Sequence, residues 1–224
     1  MTFSIVARTA NAGLFGVAIA SSSPAVAARC AHARARVGAV ATQNITDPAL
    51  GPGILEEMQR GARGADALEA ALRQTPHAAY RQVLVVGAQG PPVVHSGVHA
   101  LGCVASAAGE HAVAAGNLLA TGDIPRTMVE TFAAASGHFG VRLLDALRAA
   151  ADLGGESGPV HSAGLLIVRE VSWPIVDLRV DYSATDPIGA LEALWRLYAP
   201  QIDDYVRRAL DPAGAPAFGV PGDP

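Results

Sequence analysis

The chain opens on Met1-Thr2-Phe3-Ser4-Ile5-Val6-Ala7, where Phe3, Ile5 and Ala7 alternate with Thr2, Ser4 and Val6. Alternation with a period of two is the pattern of a strand, whose successive side chains face opposite ways. A turn signal at Asn11-Ala12-Gly13 and a second apolar run from Leu14 to Ala20 predict a hairpin of two buried strands over residues 2–20. A core element is therefore expected to start at position 2, with no leader ahead of it.

Position 2 also carries chemistry. A residue as small as Thr after Met is the context in which an initiator Met is removed, and removal would leave Thr2 with a free α-amine beside its own hydroxyl. An α-amine titrates near about 7.7–8.0, so at neutral pH a fraction is unprotonated and can take the hydroxyl proton as the oxygen attacks a carbonyl. Many proteins begin in the same way without using it, so Thr2 alone does not decide the function.

Composition narrows the field. A chain of 224 residues, half of them apolar, buries a sizeable core without staples and is read as one domain over 1–210. The Pro- and Gly-rich residues 211–224 are predicted to be a disordered tail. A net charge of -4 with 16% charged residues offers no basic surface, so no nucleic-acid partner is expected. All 16 basic residues are Arg, which excludes Schiff-base catalysis, a Ser-Lys dyad and a phosphate-loop Lys, since guanidinium does not shed its proton. Cys30 and Cys103 make no disulfide framework, and a cytoplasmic location is expected. The uncharged run from Thr9 to Ala28 is broken by Asn11, Gly13, Gly16 and Pro24, so no membrane span is expected.

Further along, Pro24 to Arg36 reads as irregular or weakly helical, and Val37 to Gln43 as a third strand. Gly51-Pro52-Gly53 punctuates a loop before two short helices, Ile54 to Arg60 and Ala65 to Arg73. Strands follow at Gln82 to Gly87, Val93 to Ser96 and Ala112 to Leu119. Asp123 with Pro125 starts a helix that Thr127 to Ala135 carries, and Phe139 to Ala151 gives its partner. Ser162 to Arg169 and Ile175 to Tyr182 are the last strands; Asp186-Pro187 opens a final helix that Pro200 breaks before Ile202 to Leu210. Strands, a helix pair, strands, a second helix pair, strands and a helix predict an α+β fold, a four-layer α-β-β-α sandwich of two antiparallel sheets.

Six blocks in order, Met1 to Ala7, Phe15 to Ser21, Val37 to Gln43, Gly116 to Leu119, Ser162 to Val168 and Val176 to Asp181, resemble the family known as domain of unknown function 1028. That family is assigned to the N-terminal nucleophile (Ntn) hydrolases. The resemblance implies the same sandwich and hydrolysis of a small amide-like bond by the residue exposed after Met removal, here Thr2. The chain departs from the family pattern at His161-Ser162-Ala163 and Ala115-Gly116-Asn117, where Gln-Ser-Ala and Gln-Gly-Asn are expected.

Attack on an amide makes an oxyanion that fixed donors must meet. Gln43 or Asn44 at the end of the third strand and Asn117 beside Gly116 are the side-chain candidates, and Ser21 is placed to hold the α-amine. Arg29, ahead of Arg8, is a candidate to hold a substrate carboxylate, and His161 lies on the substrate side. No cofactor and no metal are expected. His95, His99 and Cys103 lie four apart, but Gly97 and Gly102 break the helix that would align them. His161, His111 or His32 could serve Ser21, Ser96 or Ser162 as base, yet no Gly-x-Ser-x-Gly elbow surrounds these serines. Gly87-Ala88-Gln89-Gly90 matches no phosphate-loop spacing. The expected protein acts on a small molecule, with a homodimer as its expected assembly. The alternative is a binding or structural protein that keeps the sandwich and Met1.

Overall fold

The computed structural model describes residues 1–220. Strands β1 (Thr2–Arg8) and β2 (Phe15–Ser21) form the predicted hairpin, in register from Thr2 opposite Ser21 to Arg8 opposite Phe15. Its turn is fixed by the Thr9 hydroxyl, which accepts from the Gly13 and Leu14 N–H groups at 3.1 Å. A helical turn α1 (Val26–Cys30) leads into β3 (Ala31–Arg34) and β4 (Gly38–Asn44). Helices α2 (Leu50–Gln59) and α3 (Gly64–Gln74) precede β5 (Arg81–Gly87) and β6 (Val93–Ser96). Next come β7 (Ala105–Ala108), β8 (Ala112–Asn117) and the helical pair α4 (Ile124–Ala134) and α5 (Phe139–Asp152). The chain closes with β9 (Ser162–Val168), β10 (Val176–Val180), α6 (Pro187–Tyr198) and α7 (Ile202–Leu210), the last two joined by a short 3-10 turn at Ala199–Gln201 that contains Pro200.

Both sheets are antiparallel. One has six strands in the order β10-β9-β2-β1-β8-β7, the other four in the order β3-β4-β5-β6. Side-chain alternation sorts three cores. Val40, Val83 and Val85 on one face of the small sheet pack against Ile54, Leu55 and Met58 of α2 and Ala67 and Leu68 of α3. Ala39, Ala41, Leu84 and Val86 on its other face meet Val6, Val17, Ile19, Val113 and Leu166 of the large sheet. Phe3, Ile5, Ala18, Ala20 and Leu165, on the far face of the large sheet, pack against Met128, Leu143, Leu147 and Leu191 of α4, α5 and α6. The order is helices, sheet, sheet, helices, so β1 and β2 are covered on both faces.

Several elements differ from the sequence reading. β3 lies inside the stretch read as irregular, because Ala-His-Ala-Arg alternates over only four residues with Ala as its apolar member, too weak a pattern to mark a strand without its pairing to β4. β7 has the same cause in Ala-Ser-Ala-Ala, paired to β8. α2 begins at Leu50 and runs through Gly51-Pro52-Gly53, read as a loop. Pro52 falls in the first turn, where no backbone N–H has an intrahelical partner to lose. Asp123 precedes α4 but makes no capping hydrogen bond; its carboxylate pairs with Arg126 at 2.8 Å instead. Asp186 does cap α6, accepting from the Gly189 N–H at 2.8 Å. Residues 211–220 carry no helix or strand and fold back on α7, where Arg208 stacks on Phe218. The rest of the tail, 221–224, lies outside the described residues. Among the described residues no helix is long and apolar enough to cross a membrane.

Candidate active site

Register sets the site. The large sheet's inner face, toward the small sheet, carries Ser162, Ser21, Thr2 and Asn117 in one row across β9, β2, β1 and β8. The next row on that face is Gly164, Ile19, Ser4 and Ala115, and the third is Leu166, Val17, Val6 and Val113. Polarity thus falls from the strand ends inward, over two side-chain periods, and Thr2 stands in the wholly polar row. All four of its residues are at most 5% exposed.

Thr2 Oγ lies 3.2 Å from Ser21 Oγ, and both hydroxyls donate to the Met1 carbonyl oxygen. Ser21 Oγ is fixed in turn by the Ser23 N–H at 3.1 Å. Ser162, the end of the row, is committed elsewhere: it donates to the Ser23 carbonyl at 2.6 Å and accepts from the Val26 N–H, holding the loop after β2.

A buried network of amides backs the row. Ser4 donates to Gln43 Oε1 at 2.6 Å, and Gln43 Nε2 donates to Gln82 Oε1 at 2.7 Å and to the Ala115 carbonyl at 3.2 Å. Gln82 Nε2 reaches Ser96 Oγ and the Gly116 carbonyl, while Gln82 Oε1 also accepts from Asn117 Nδ2 at 3.2 Å. Both hydrogens of Gln43 are therefore used within the protein, and its role is to fix Gln82. Asn117 is different: its Oδ1 is buried without a hydrogen-bond partner, and one of its amide hydrogens remains uncommitted. Of the two, Asn117 is the amide with capacity left for a ligand. Gly116 beside it makes room for a side chain and not for a ligand, since a Cβ there would lie 2.4 Å from Leu119 Cδ2.

The other expected site residues divide. Asn44 adopts φ 70° and uses its amide to tie loops, donating to the Tyr80 carbonyl at 2.6 Å and accepting from the Leu101 N–H at 3.1 Å. Arg29 is exposed on α1 and bonds the Pro24 carbonyl at 3.0 Å. His161 adjoins the polar row: its N–H donates to the Ser21 carbonyl at 2.9 Å, its ring Nδ1 meets the Ser183 carbonyl, and it stacks on Tyr182. His95 bonds the Ala78 carbonyl and His99 stacks on Tyr80; among the described residues no three His, Cys, Asp or Glu side chains converge as a metal site.

Glu156 carries no sequence signal that would single it out. It follows Gly154 and Gly155, at φ 101° and 57°, a left-handed pair that turns the chain after α5. It is then pinned to Leu119 by a backbone bridge. Its side chain is 3% exposed and neither carboxylate oxygen completes a hydrogen bond. Burial pushes its pKa from 4.5 up to about 7, an effect opposed by the positive amino terminus, by the Ser22 hydroxyl and N–H close by, and by His161. Ser4 and Gln82 also escaped notice, although a Ser inside an apolar strand and a Gln heading Val-Leu-Val-Val are the trace such a network leaves.

No curated protein matches this chain. Among solved structures it is similar to a protein of Silicibacter pomeroyi, SPO2555, with a TM-score of 0.83 and 29% identity over 91% of this chain and 94% of that one. It also aligns with Anbu, an ancestral beta-subunit, from Yersinia bercovieri, at a TM-score of 0.39 and 10% identity over 91% and 97% of the two chains. The SPO2555 structure is described as a member of the family DUF1028. The model of that family, described as a family of unknown function, matches residues 2–191, and the chain belongs to it.

Proposed function

We propose that the protein is an N-terminal-nucleophile (Ntn) hydrolase that cleaves a small amide-like C–N bond, with Thr2 as nucleophile once Met1 has been removed. The observation that carries this reading is the place of Thr2: a hydroxyl at the very start of a central strand, 3.2 Å from Ser21 Oγ, at the polar end of an otherwise apolar interface between sheets. Buried polar residues of this kind cost stability unless they are paired or put to use.

In the proposed reaction the Thr2 α-amine takes the hydroxyl proton as Oγ bonds to the substrate carbonyl carbon. The carbonyl electrons move to oxygen, and the Asn117 amide is the side-chain donor with a hydrogen free to meet that charge. Collapse expels the amine, which leaves with the proton from the α-ammonium. Water then attacks the ester, the α-amine takes its proton, and return of that proton to Oγ releases the acid. Ser21 holds the Thr2 hydroxyl, while Gln43 and Gln82 hold Asn117. Ser4 and Gln43 act at a distance from the reacting atoms and are positioning residues.

A screen of small amides, imides and ureido compounds with wild type, Thr2→Ser and Thr2→Ala tests the proposal. Turnover should survive in part in the Ser variant and fall by several orders of magnitude in the Ala variant, which keeps the amine and loses the oxygen. Near-normal turnover by Thr2→Ala would overturn it. The second reading, a binding protein that keeps Met1, draws on the same contacts, because the Met1 carbonyl occupies both hydroxyls.

A further inference from the structure

Met1 is itself an α-aminoacyl group seated at this site. Its carbonyl oxygen accepts from Ser21 and Thr2, and its carbonyl carbon is joined to Thr2 by an amide. Its side chain lies over Gly158, so close that a Cβ there would be 3.4 Å from Met1 Cε. Its ammonium acts on Glu156 more strongly than the other positive group near it, His161. Removing Met1 empties a space already bounded by a carbonyl-oxygen donor, a surface for a side chain and a buried carboxylate that completes no hydrogen bond.

We infer that this vacated space is a subsite for an acyl group bearing a free ammonium, with Glu156 as its counter-ion, so that the substrate class is the amides of α-amino acids. The inference rests on the hydrolase reading above and names the substrate class of that site. Its physical basis is asymmetry: a carboxylate 3% exposed, with the Ser22 hydroxyl and N–H close by but no hydrogen bond completed and no ion pair formed, is costly to keep charged and gains most from a cation that binds beside it. An N-acylated or neutral amide of the same size would meet the same hydroxyls and leave that carboxylate unpaired. Within the chain the groups that compete for Glu156 are the amino terminus, which after Met1 removal is Thr2's own α-amine, His161, and the Ser22 hydroxyl and N–H.

Binding is read on Thr2→Ala protein lacking Met1, which keeps the α-amine and cannot cleave the amide. Calorimetric titration with L-methioninamide and N-acetyl-L-methioninamide, with and without Glu156→Gln, gives four affinities. We expect acetylation to weaken binding to the Thr2→Ala protein by about tenfold or more. Adding Glu156→Gln should weaken L-methioninamide by a similar factor and leave the acetylated compound within about twofold. Equal binding of the two compounds by the Thr2→Ala protein overturns the inference, and this comparison does not need the Glu156 variant to fold. So does an equal loss for both compounds in Glu156→Gln, which would give the carboxylate to Thr2's amine. A parallel assay with L-methionine p-nitroanilide and its N-acetyl form separates the two claims. Thr2-dependent hydrolysis with no preference for the free amine keeps the hydrolase and overturns the subsite. Glu156-dependent binding without hydrolysis keeps the subsite and counts against the hydrolase.

Discussion

Ser4 donates to Gln43 at 2.6 Å across the interface of the two sheets, where polar side chains replace apolar ones at the strand ends. The bond joins β1 to β4, and through Gln82 it reaches Asn117 on β8. Thr2 is therefore held on one side by its own strand and on the other by a network in which each amide depends on the next.

Gln82 is the hub of that network, and its loss should be felt at several places. Gln82→Leu would remove one of the two acceptors of Gln43 Nε2, the acceptor of Asn117 Nδ2 and the side-chain donor to the Gly116 carbonyl in one step. Buried groups left unpaired cost about 1–3 kcal/mol each, and with partial relaxation the variant should lose about 2–4 kcal/mol in denaturant unfolding. Gln82→Glu keeps the acceptor but loses the donor, and should fall in between.

Glu156 predicts a dependence of stability on pH. Its carboxyl titrates near about 7 in the folded protein against 4.5 ordinarily, so the native state holds this proton more tightly than the unfolded one. Stability contributed by the protonated group is complete below about 4.5 and is lost as pH rises through about 7. Glu156→Gln cannot ionise there, so its melting temperature relative to wild type should rise across that window and level off above it. A difference that stays flat from pH 4 to pH 8 would show that the carboxyl is not perturbed.

Two glycines make opposite predictions. A Cβ on Gly164 would lie 2.3 Å from Ala27 Cβ, where α1 packs against β9, so Gly164→Ala should cost about 1–3 kcal/mol by overpacking. Gly53 lies in α2 with nothing within 4 Å of its Cβ position, so Gly53→Ala should gain about 0.5–1 kcal/mol. Thermal melts of the pair test the packing of α1 against β9 on the inner face of the large sheet and the open face of α2.

The hairpin of β1 and β2, both helical pairs and the broken final helix were legible because each has strong apolar period or a Pro or Gly boundary. β3 and β7 were not, since four-residue edge strands whose apolar members are all Ala carry too little hydrophobic contrast and take their conformation from the neighbour they pair with. At the site, Thr2, Ser21 and Asn117 stood out as polar ends of apolar strands, and the register brings them into one row. What no local pattern contains is which polar atoms already have partners. That is why Gln43 and Asn44 looked equivalent to Asn117, and why Glu156, in a Gly-rich turn far along the chain, went unremarked.

The central claim is that Thr2 acts as an N-terminal residue, and the intact mass of protein expressed natively without an N-terminal tag tests it most directly. We predict a species one methionine residue lighter than the full translation product, with Thr2 as its first residue. A protein that keeps Met1 throughout would have the Thr2 nitrogen tied up in a peptide bond, with no base to activate the hydroxyl, and would contradict the account.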